Sequence, residues 1–388
     1  MLIKQLRLTN LLSFGTDSAP LPLGSLNVVI GPNGSGKSNL LDAIRVLQSA
    51  PSNLASTLSR GGGAHEWLWK RAEGTPVASL DVVLTHPDPL IVSGIRYVLA
   101  FTETAQRIEI LDERIEDEIP APEAGFDYYY RFQNGHPVAN VRGEERLLRR
   151  ETIAPNRSIL FQLRDPDNYP ELAYIADSFS NIHIYAEWRF GRRSVTRRPE
   201  ETDLPNEFLS PNADNLGMVL NRLRRNPEAK ARILTALKVL YDGIEDYDVQ
   251  IEAGTVQVFL YEDNVTIPAT RLSDGTLRYL ALLCILCHPN PPPLVCIEEP
   301  ELGLHPDILP TVAALLREAS ERCQLIVTTH SDLLVDAMTD TPEAVLVCEK
   351  HDGSTKFRRL SAEDLKPWLE RYRLGELWTR GEIGGTRW

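Results

Sequence analysis

Apolar and polar positions alternate with period two over residues 2–9 (LIKQLRLT), which predicts a strand. Asn10 to Gly15 reads as a turn, and the β-branched block Leu26-Asn-Val-Val-Ile30 as a buried strand. Leu40, Leu41, Ile44 and Leu47 recur at helical spacing within Ser38–Ser49. Past a loop at Gly61–Gly63, alternation predicts antiparallel strands at Val77–Thr85, Ile95–Thr102 and Arg107–Ile115. An acidic, proline-bearing loop is expected from Glu116 to Pro122, and Tyr128-Tyr129-Tyr130 reads as a strand packed on both faces. Residues 171–180 pattern as a helix, Asn181–Trp188 as a strand, and Leu209–Arg225 and Glu228–Leu240 as helices. A hairpin follows over Val249–Tyr261 around Ala253-Gly254. Helices at Gly275–Cys287, Pro310–Ser320, Ser331–Met338 and Ala362–Arg373 then alternate with short apolar strands at Leu294–Ile297, Leu325–Thr329 and Ala344–Cys348. Such alternation predicts a mainly parallel sheet with helices on both faces.

Composition narrows the classes. The 388 residues carry 41 basic and 54 acidic side chains, a net charge of −13, which argues against a protein that coats nucleic acid non-specifically. No apolar run approaches the roughly 20 residues of a membrane span. No apolar segment follows Met1, and five cysteines are an odd number, so a reducing, cytoplasmic location and no disulfide framework are expected. Cys284-Ile-Leu-Cys287 is a single CxxC inside an apolar helix, better read as buried small hydrophobes than as metal ligands.

The strongest chemical signal is Gly31-Pro-Asn33-Gly34-Ser35-Gly36-Lys37-Ser38, which matches G-x-x-x-x-G-K-[ST] between an expected strand and an expected helix. Glycines let backbone N–H groups turn toward phosphate oxygens, and the helix N-terminus adds positive potential. Lys37 then bridges β- and γ-phosphates, Ser38 binds Mg²⁺, and Asn39 follows in the first turn. The apolar strand Leu294–Ile297 ends at Glu298-Glu299. One acid can hold Mg²⁺ through water while the next polarises an attacking water. Leu272-Ser273-Asp274-Gly275 precedes an apolar helix as a common N-cap, and His330 ends the strand Leu325–Thr329.

In their order, these segments resemble the Walker A, signature, Walker B and switch-histidine set of ABC-type ATPases. The turn Asn10-Leu-Leu-Ser13-Phe14 and the segment Glu298-Glu-Pro-Glu301-Leu-Gly-Leu-His305-Pro306 resemble the RecF/SMC-like, OLD-related branch. The tail Leu374–Trp388 looks like the ending of a compact predicted-ATPase family of that clade, and with terminal aromatics at Trp378 and Trp388 it is either a docking element or packs back on its own domain.

The resemblance implies an α/β ABC-ATPase head with a parallel core sheet, an antiparallel β subdomain and an inserted helical lobe. It places the first part of the head with Walker A at 1–50, an inserted β and helical segment at 51–210, the second part of the head at 211–350, and a C-terminal helix and tail at 351–388. ATP and Mg²⁺ are the implied cofactors. Glu298 takes the Walker B metal role, Glu299 is the catalytic base and His330 contacts the γ-phosphate. Ser273, Asp274 and Gly275 act in trans, so the implied assembly is a homodimer closed on ATP. Two departures stand out: Glu298 replaces the usual aspartate, and Asp274 replaces a glycine of the signature. Gln106 and Gln162 are candidates for the Q-loop, neither in a convincing frame.

Recurrent prolines and the absence of heptads between Ser38 and Leu272 exclude the long coiled-coil arms of SMC-like relatives. Arg189, Arg192, Arg193, Arg197 and Arg198, with Trp188 and Phe190 interleaved, could meet DNA phosphates or form a solvated face pairing nearby acids; Arg222, Arg224 and Arg225 pose the same choice. Val345–Glu349 faintly resembles the start of a TOPRIM nuclease, but too few residues follow for that domain, so such an effector is absent or supplied by a partner. The expected function is an ATP-dependent switch acting on a partner or a DNA transaction, in DNA repair or anti-phage defence. The alternatives are a transport ATPase subunit and an ATP-dependent assembly scaffold.

Overall fold

The computed structural model describes residues 1–60, 62–88, 93–119, 128–133, 136–141, 144–148, 153–192 and 194–386. The chain forms two compact units: Met1–Ile182 with Leu346–Arg359 and Gly384–Trp388, and His183–Val345 with Leu360–Ile383.

The first unit is built on an eight-stranded sheet. Its order is Leu21–Pro22, Ile3–Thr9, Ala78–Leu84, Ile95–Thr104, Arg107–Asp117, Tyr128–Gln133, His136–Val141 and Glu144–Leu147, with every neighbouring pair antiparallel. The strand after Arg107 runs through Glu116 rather than breaking there. Arg96 lies between Asp81 and Glu116 at 2.8 and 2.7 Å, and this cross-strand ion pairing carries the ladder past the expected loop start. Pro120 to Pro122 lie outside the described residues. Tyr97, Phe101 and Tyr130 fill the buried side, as the tyrosine triplet suggested for its third member. Beneath Tyr97, the fully buried Glu113 carboxylate accepts from the Tyr97 hydroxyl (2.8 Å), the Ser158 hydroxyl and the Ile159 N–H (2.8 Å). In the same unit Leu26–Ile30 lies beside Val345–His351, which pairs antiparallel with Ser354–Arg359. The helix Lys37–Ser49 buries Leu40, Leu41, Ile44 and Leu47 and packs on the helix Pro170–Ser180.

The second unit holds the parallel pair Leu294–Glu298 and Gln324–Thr328, in register from Leu294 opposite Gln324 to Glu298 opposite Thr328, with Ile182–Tyr185 beside it. The helix Asp274–Leu286 buries ten of its thirteen residues and so forms the centre of this unit. A second sheet joins Glu200–Glu201, Thr255–Glu262, Ile244–Glu252 and Val265–Pro268.

Several boundaries differ from the pattern-based expectation. The strand after Asn181 ends at Tyr185, not Trp188. The expected helix Leu209–Arg225 is only Leu216–Leu223. Here the buried Asn215 amide accepts from Ser210 N–H at 2.8 Å and donates to the carbonyls of Pro205 (2.7 Å) and Phe208 (2.9 Å), which holds the preceding residues as a loop. The last helix stops at Leu369 and a further helix, Leu374–Thr379, follows.

The helix Leu374–Thr379 of the tail packs back within the second unit. Gly375 N–H donates to Asp336 at 2.7 Å, Leu374 N–H donates to Thr339 at 3.1 Å, and Trp378 is buried. The docking reading of that helix is thereby corrected; Trp388 lies outside the described residues. All five cysteines are buried and outside any disulfide, and burial pushes the Cys287 thiol up to about 12, as hydrophobic packing requires. Among the described residues no helix is long and apolar enough to cross a membrane.

Candidate active site

The five residues Leu26–Ile30 are all buried, so the chain enters the glycine loop from inside the core. At Gly31 a Cβ would stand 2.2 Å from the Cys348 carbonyl oxygen. At Gly36, with φ of +116°, it would stand 2.2 Å from Thr355 Oγ1. The loop therefore lies too close to the 345–359 hairpin to accept any side chain at either position. Its other side turns outward: Asn33, Gly34 and Ser38 are exposed, whereas Ser35, Gly36 and Lys37 are buried. Gly36 caps the helix Lys37–Ser49 with no side-chain acceptor, so the positive end of the helix dipole faces the loop. Lys37 Nζ donates to the carbonyls of Gly31 (2.8 Å) and Pro32 (3.2 Å), so the cation is folded into the loop. This glycine cradle, acceptor-free cap and enclosed lysine fit a phosphate group. Ser38 presents the kind of oxygen ligand that Mg²⁺ prefers.

A relay of hydrogen bonds supports the loop from below. Asn39 Nδ2 donates to Ser13 Oγ (2.7 Å), Ser13 Oγ lies 2.7 Å from Thr355 Oγ1, and Thr355 donates to the Ser35 carbonyl (2.6 Å). The backbone repeats the link, since Thr355 N–H donates to the Ser13 carbonyl at 2.8 Å and Gly15 N–H to Ser354 Oγ at 2.9 Å. Sequence reading missed Thr355 altogether, and it noted Ser13 only as part of a turn motif.

In the second unit, Glu298 closes its strand and Glu299 turns the chain with a φ of +46°, a left-handed conformation uncommon outside glycine. Glu299 N–H donates to the Thr328 carbonyl at 2.9 Å, which ties the turn to the neighbouring parallel strand. Its carboxylate then meets the His330 imidazole, with Nε2 3.3 Å from Oε1. Glu301 orients the same corner, because its Oε1 accepts from Thr329 Oγ1 (2.8 Å) and from His330 N–H (2.7 Å). The structure thus brings together two of the expected catalytic residues, Glu299 and His330, and adds Glu301 as their brace.

The signature turn is exposed at Ser273 and Asp274. Ser273 caps the helix Asp274–Leu286 by accepting from Thr276 N–H at 3.0 Å. A Cβ on Gly275 would stand 2.6 Å from the Gly303 carbonyl oxygen, so this glycine admits the Glu-Pro-Glu-Leu-Gly loop into contact. Arg197 donates to the Leu272 carbonyl and to the Asp274 carboxylate. One member of the basic run is therefore spent on the signature, and Arg224 is likewise spent on Asp248. Arg189, Arg192 and Arg198 are exposed, with Arg189 3.4 Å from Glu187; Arg193 lies outside the described residues. Gln106 sits in a hairpin turn with φ of +63°, and the Gln162 amide is engaged by Ala154 and Arg157.

A family model described as "AAA domain, putative AbiEii toxin, Type IV TA system" matches residues 26–336. The chain is 22% identical over 369 residues to the Retron Ec83 probable ATPase of Escherichia coli. That match covers 78% of this chain and 64% of the relative, so the chain spans just under two thirds of the relative's length. Among solved structures the chain is similar to an Smc head bound to the C-winged helix domain of ScpA, with a TM-score of 0.58 and 17% identity over 93% of this chain and 99% of that chain. It is also similar to an Smc head with an extended coiled coil, bound to the C-terminal domain of ScpA and derived from Pyrococcus furiosus. There the TM-score is 0.59, with 16% identity over 95% of this chain and 98% of that chain. The fold is an α/β ABC-ATPase head of the SMC type, as the RecF/SMC-like resemblance implied.

Proposed function

Because this chain belongs to the family described as AAA domain, putative AbiEii toxin, Type IV TA system, we propose that it is an ATPase that closes as a homodimer on ATP. Slow hydrolysis would make it a switch acting on a separate effector or on DNA, in repair or anti-phage defence. The observation that carries this reading is the Glu299–His330 pair, 3.3 Å apart where two parallel strands end. A carboxylate beside an imidazole can accept the proton of an attacking water while the imidazole holds the developing charge on a terminal phosphate.

The other roles follow from donor chemistry. Backbone N–H groups of the loop between Asn33 and Ser38 would hold phosphate oxygens, and Lys37, which here donates to its own loop carbonyls, would supply the positive charge that the β- and γ-phosphates need. Bound Mg²⁺, with the Ser38 hydroxyl as a protein ligand, would neutralise charge on those phosphates, and the Glu298 carboxylate is the proposed Walker B metal acid. Ser273 and Gly275 offer the exposed signature helix N-terminus to the nucleotide of the second subunit. The likeness to a retron ATPase supports an effector partner, with a TOPRIM-like nuclease one candidate chemistry. The Smc heads seen bound to ScpA domains support the use of such a head as a docking platform.

The test is Glu299→Gln. The amide keeps the size but cannot take the proton, so this variant should bind ATP, fail to turn it over and accumulate as a dimer by light scattering. Turnover at the parental rate would remove Glu299 from the mechanism and make Glu301 the next candidate.

A further inference from the structure

Four buried polar atoms without a hydrogen-bond partner gather in one corner of the second unit: Trp188 Nε1, Arg278 Nε, Glu301 Oε2 and Thr328 Oγ1. Buried polar atoms are nearly always paired, so such a concentration calls for an explanation. Arg278 stands at its centre. It lies on the helix that Ser273 caps, one turn beyond Asp274. Its guanidinium carbon is 5.2 Å from the centroid of the Trp188 ring. Its Nη2 donates to the backbone carbonyl of Glu299 at 3.4 Å. Burial holds the guanidinium below the usual arginine range, and the Glu301 and Glu299 carboxylates act against that shift.

We propose that Arg278 is a positioning residue that couples the signature turn Ser273–Gly275 to the Glu299–His330 pair. The inference rests on the reading of Glu299 as hydrolytic base. The left-handed backbone of Glu299 needs outside support. Three hydrogen bonds to its peptide groups supply it: Glu299 N–H to Thr328, Leu302 N–H to the Glu299 carbonyl at 3.1 Å, and Arg278 to that same carbonyl. The first two belong to the strand and its turn, whereas the third comes from the signature helix. Glu301, the other carboxylate facing Arg278, holds His330 N–H at 2.7 Å. One guanidinium therefore faces the supports of both partners. A shift of the helix when phosphate docks at Ser273 moves Arg278 with it, and the base and histidine respond together. The coplanar donors of arginine suit this task, since the fork can hold a carbonyl while its face rests on an indole.

The experiment uses the full chain and ATP. Arg278→Ala should lower kcat at least tenfold, while affinity for a fluorescent ATP analogue stays within twofold of the parental value. Millimolar guanidinium should return part of the lost kcat, and Arg278→Lys should recover little. Arg278→Met keeps the stem against Trp188 and carries the same expectation should the alanine variant fail to fold. Unchanged kcat in either variant overturns the inference. So does a matched loss of kcat and affinity without guanidinium rescue, which makes Arg278 a packing residue only. No turnover by the parental chain would overturn the hydrolytic reading itself, a distinguishable outcome.

Discussion

Ser13 and Thr355, 342 positions apart in the chain, share a 2.7 Å hydrogen bond beneath the phosphate loop. Thr355 is 2% exposed and spends its own hydroxyl proton on the Ser35 carbonyl. The isosteric Thr355→Val keeps the volume and removes both bonds, which strands a buried carbonyl inside the loop. A loss of about 1–3 kcal/mol in stability is expected, together with weaker ATP binding. Urea unfolding and titration with a fluorescent nucleotide check the two effects. A variant that loses stability but binds ATP as before would show that the relay does not shape the loop.

Gly275 offers a cleaner contest between two opposing effects. Alanine is worth about 1 kcal/mol over glycine inside a helix, so local propensity favours Gly275→Ala. Its Cβ, however, would meet the Gly303 carbonyl oxygen at 2.6 Å, and Gly303 itself holds a φ of +72° that fixes the opposing backbone. Overpacking against backbone costs about 1–3 kcal/mol, so the clash should win and the melting temperature should fall. A rise in Tm would mean that the 301–305 loop yields freely, and that the signature does not need this contact.

Glu200 gives a pH signature. Its carboxylate accepts from Gly217 N–H (2.9 and 2.8 Å) and Met218 N–H (3.3 Å) at the start of the helix Leu216–Leu223. Burial outweighs those donors and pushes the group up to about 7. In the unfolded chain a glutamate titrates near 4.3. Between those values the folded state binds the extra proton, so this group's contribution is fully present below about 4.3 and is lost as pH rises through about 7. Glu200→Gln does not titrate. Its stability relative to the parental chain should therefore climb by up to about 3 kcal/mol from pH 4 to pH 8. Denaturation curves across that range check it, and a flat difference would mean that the carboxylate titrates alike in the folded and unfolded chains.

Much of this was legible in the sequence where local pattern and chemistry coincide. Gly31–Ser38 could be read because the loop needs its glycines, and the flanking strand and helix carry their own periodicities. Glu298-Glu299 could be read because a buried strand delivers acids to its end. The supports were not legible. Thr355 lies in a short polar strand whose partner is Ser13, far away in sequence, and no local pattern joins them. Arg278 and Glu301 gain meaning only when the helix from Asp274 is set against the turn at Glu299. The long helix expected over Leu209–Arg225 failed for a similar reason. Its apolar spacing was real, but the buried Asn215 amide, accepting from Ser210 N–H and donating to the Pro205 and Phe208 carbonyls, holds the first half as a loop.

The proposal of a shared ATP site yields a mixing test. Lys37→Ala removes the phosphate-loop cation, and Ser273→Arg blocks the exposed cap of the signature helix by bulk and charge. If each site joins the loop of one subunit to the signature of the other, either variant alone is dead at both sites of its homodimer. In a heterodimer both lesions fall on one site, and the second site is intact. A one-to-one mixture forms half its dimers as heterodimers, each with one of two sites working. Activity should thus return to about a quarter of the parental rate if the sites act independently. Failure to recover has two causes, chains that act alone or sites that must fire together, and ATP-dependent crosslinking separates them. A crosslinked dimer without recovery points to sites that fire together, while no recovery and no dimer would sink the shared-site mechanism, whatever the loop at Gly31 binds.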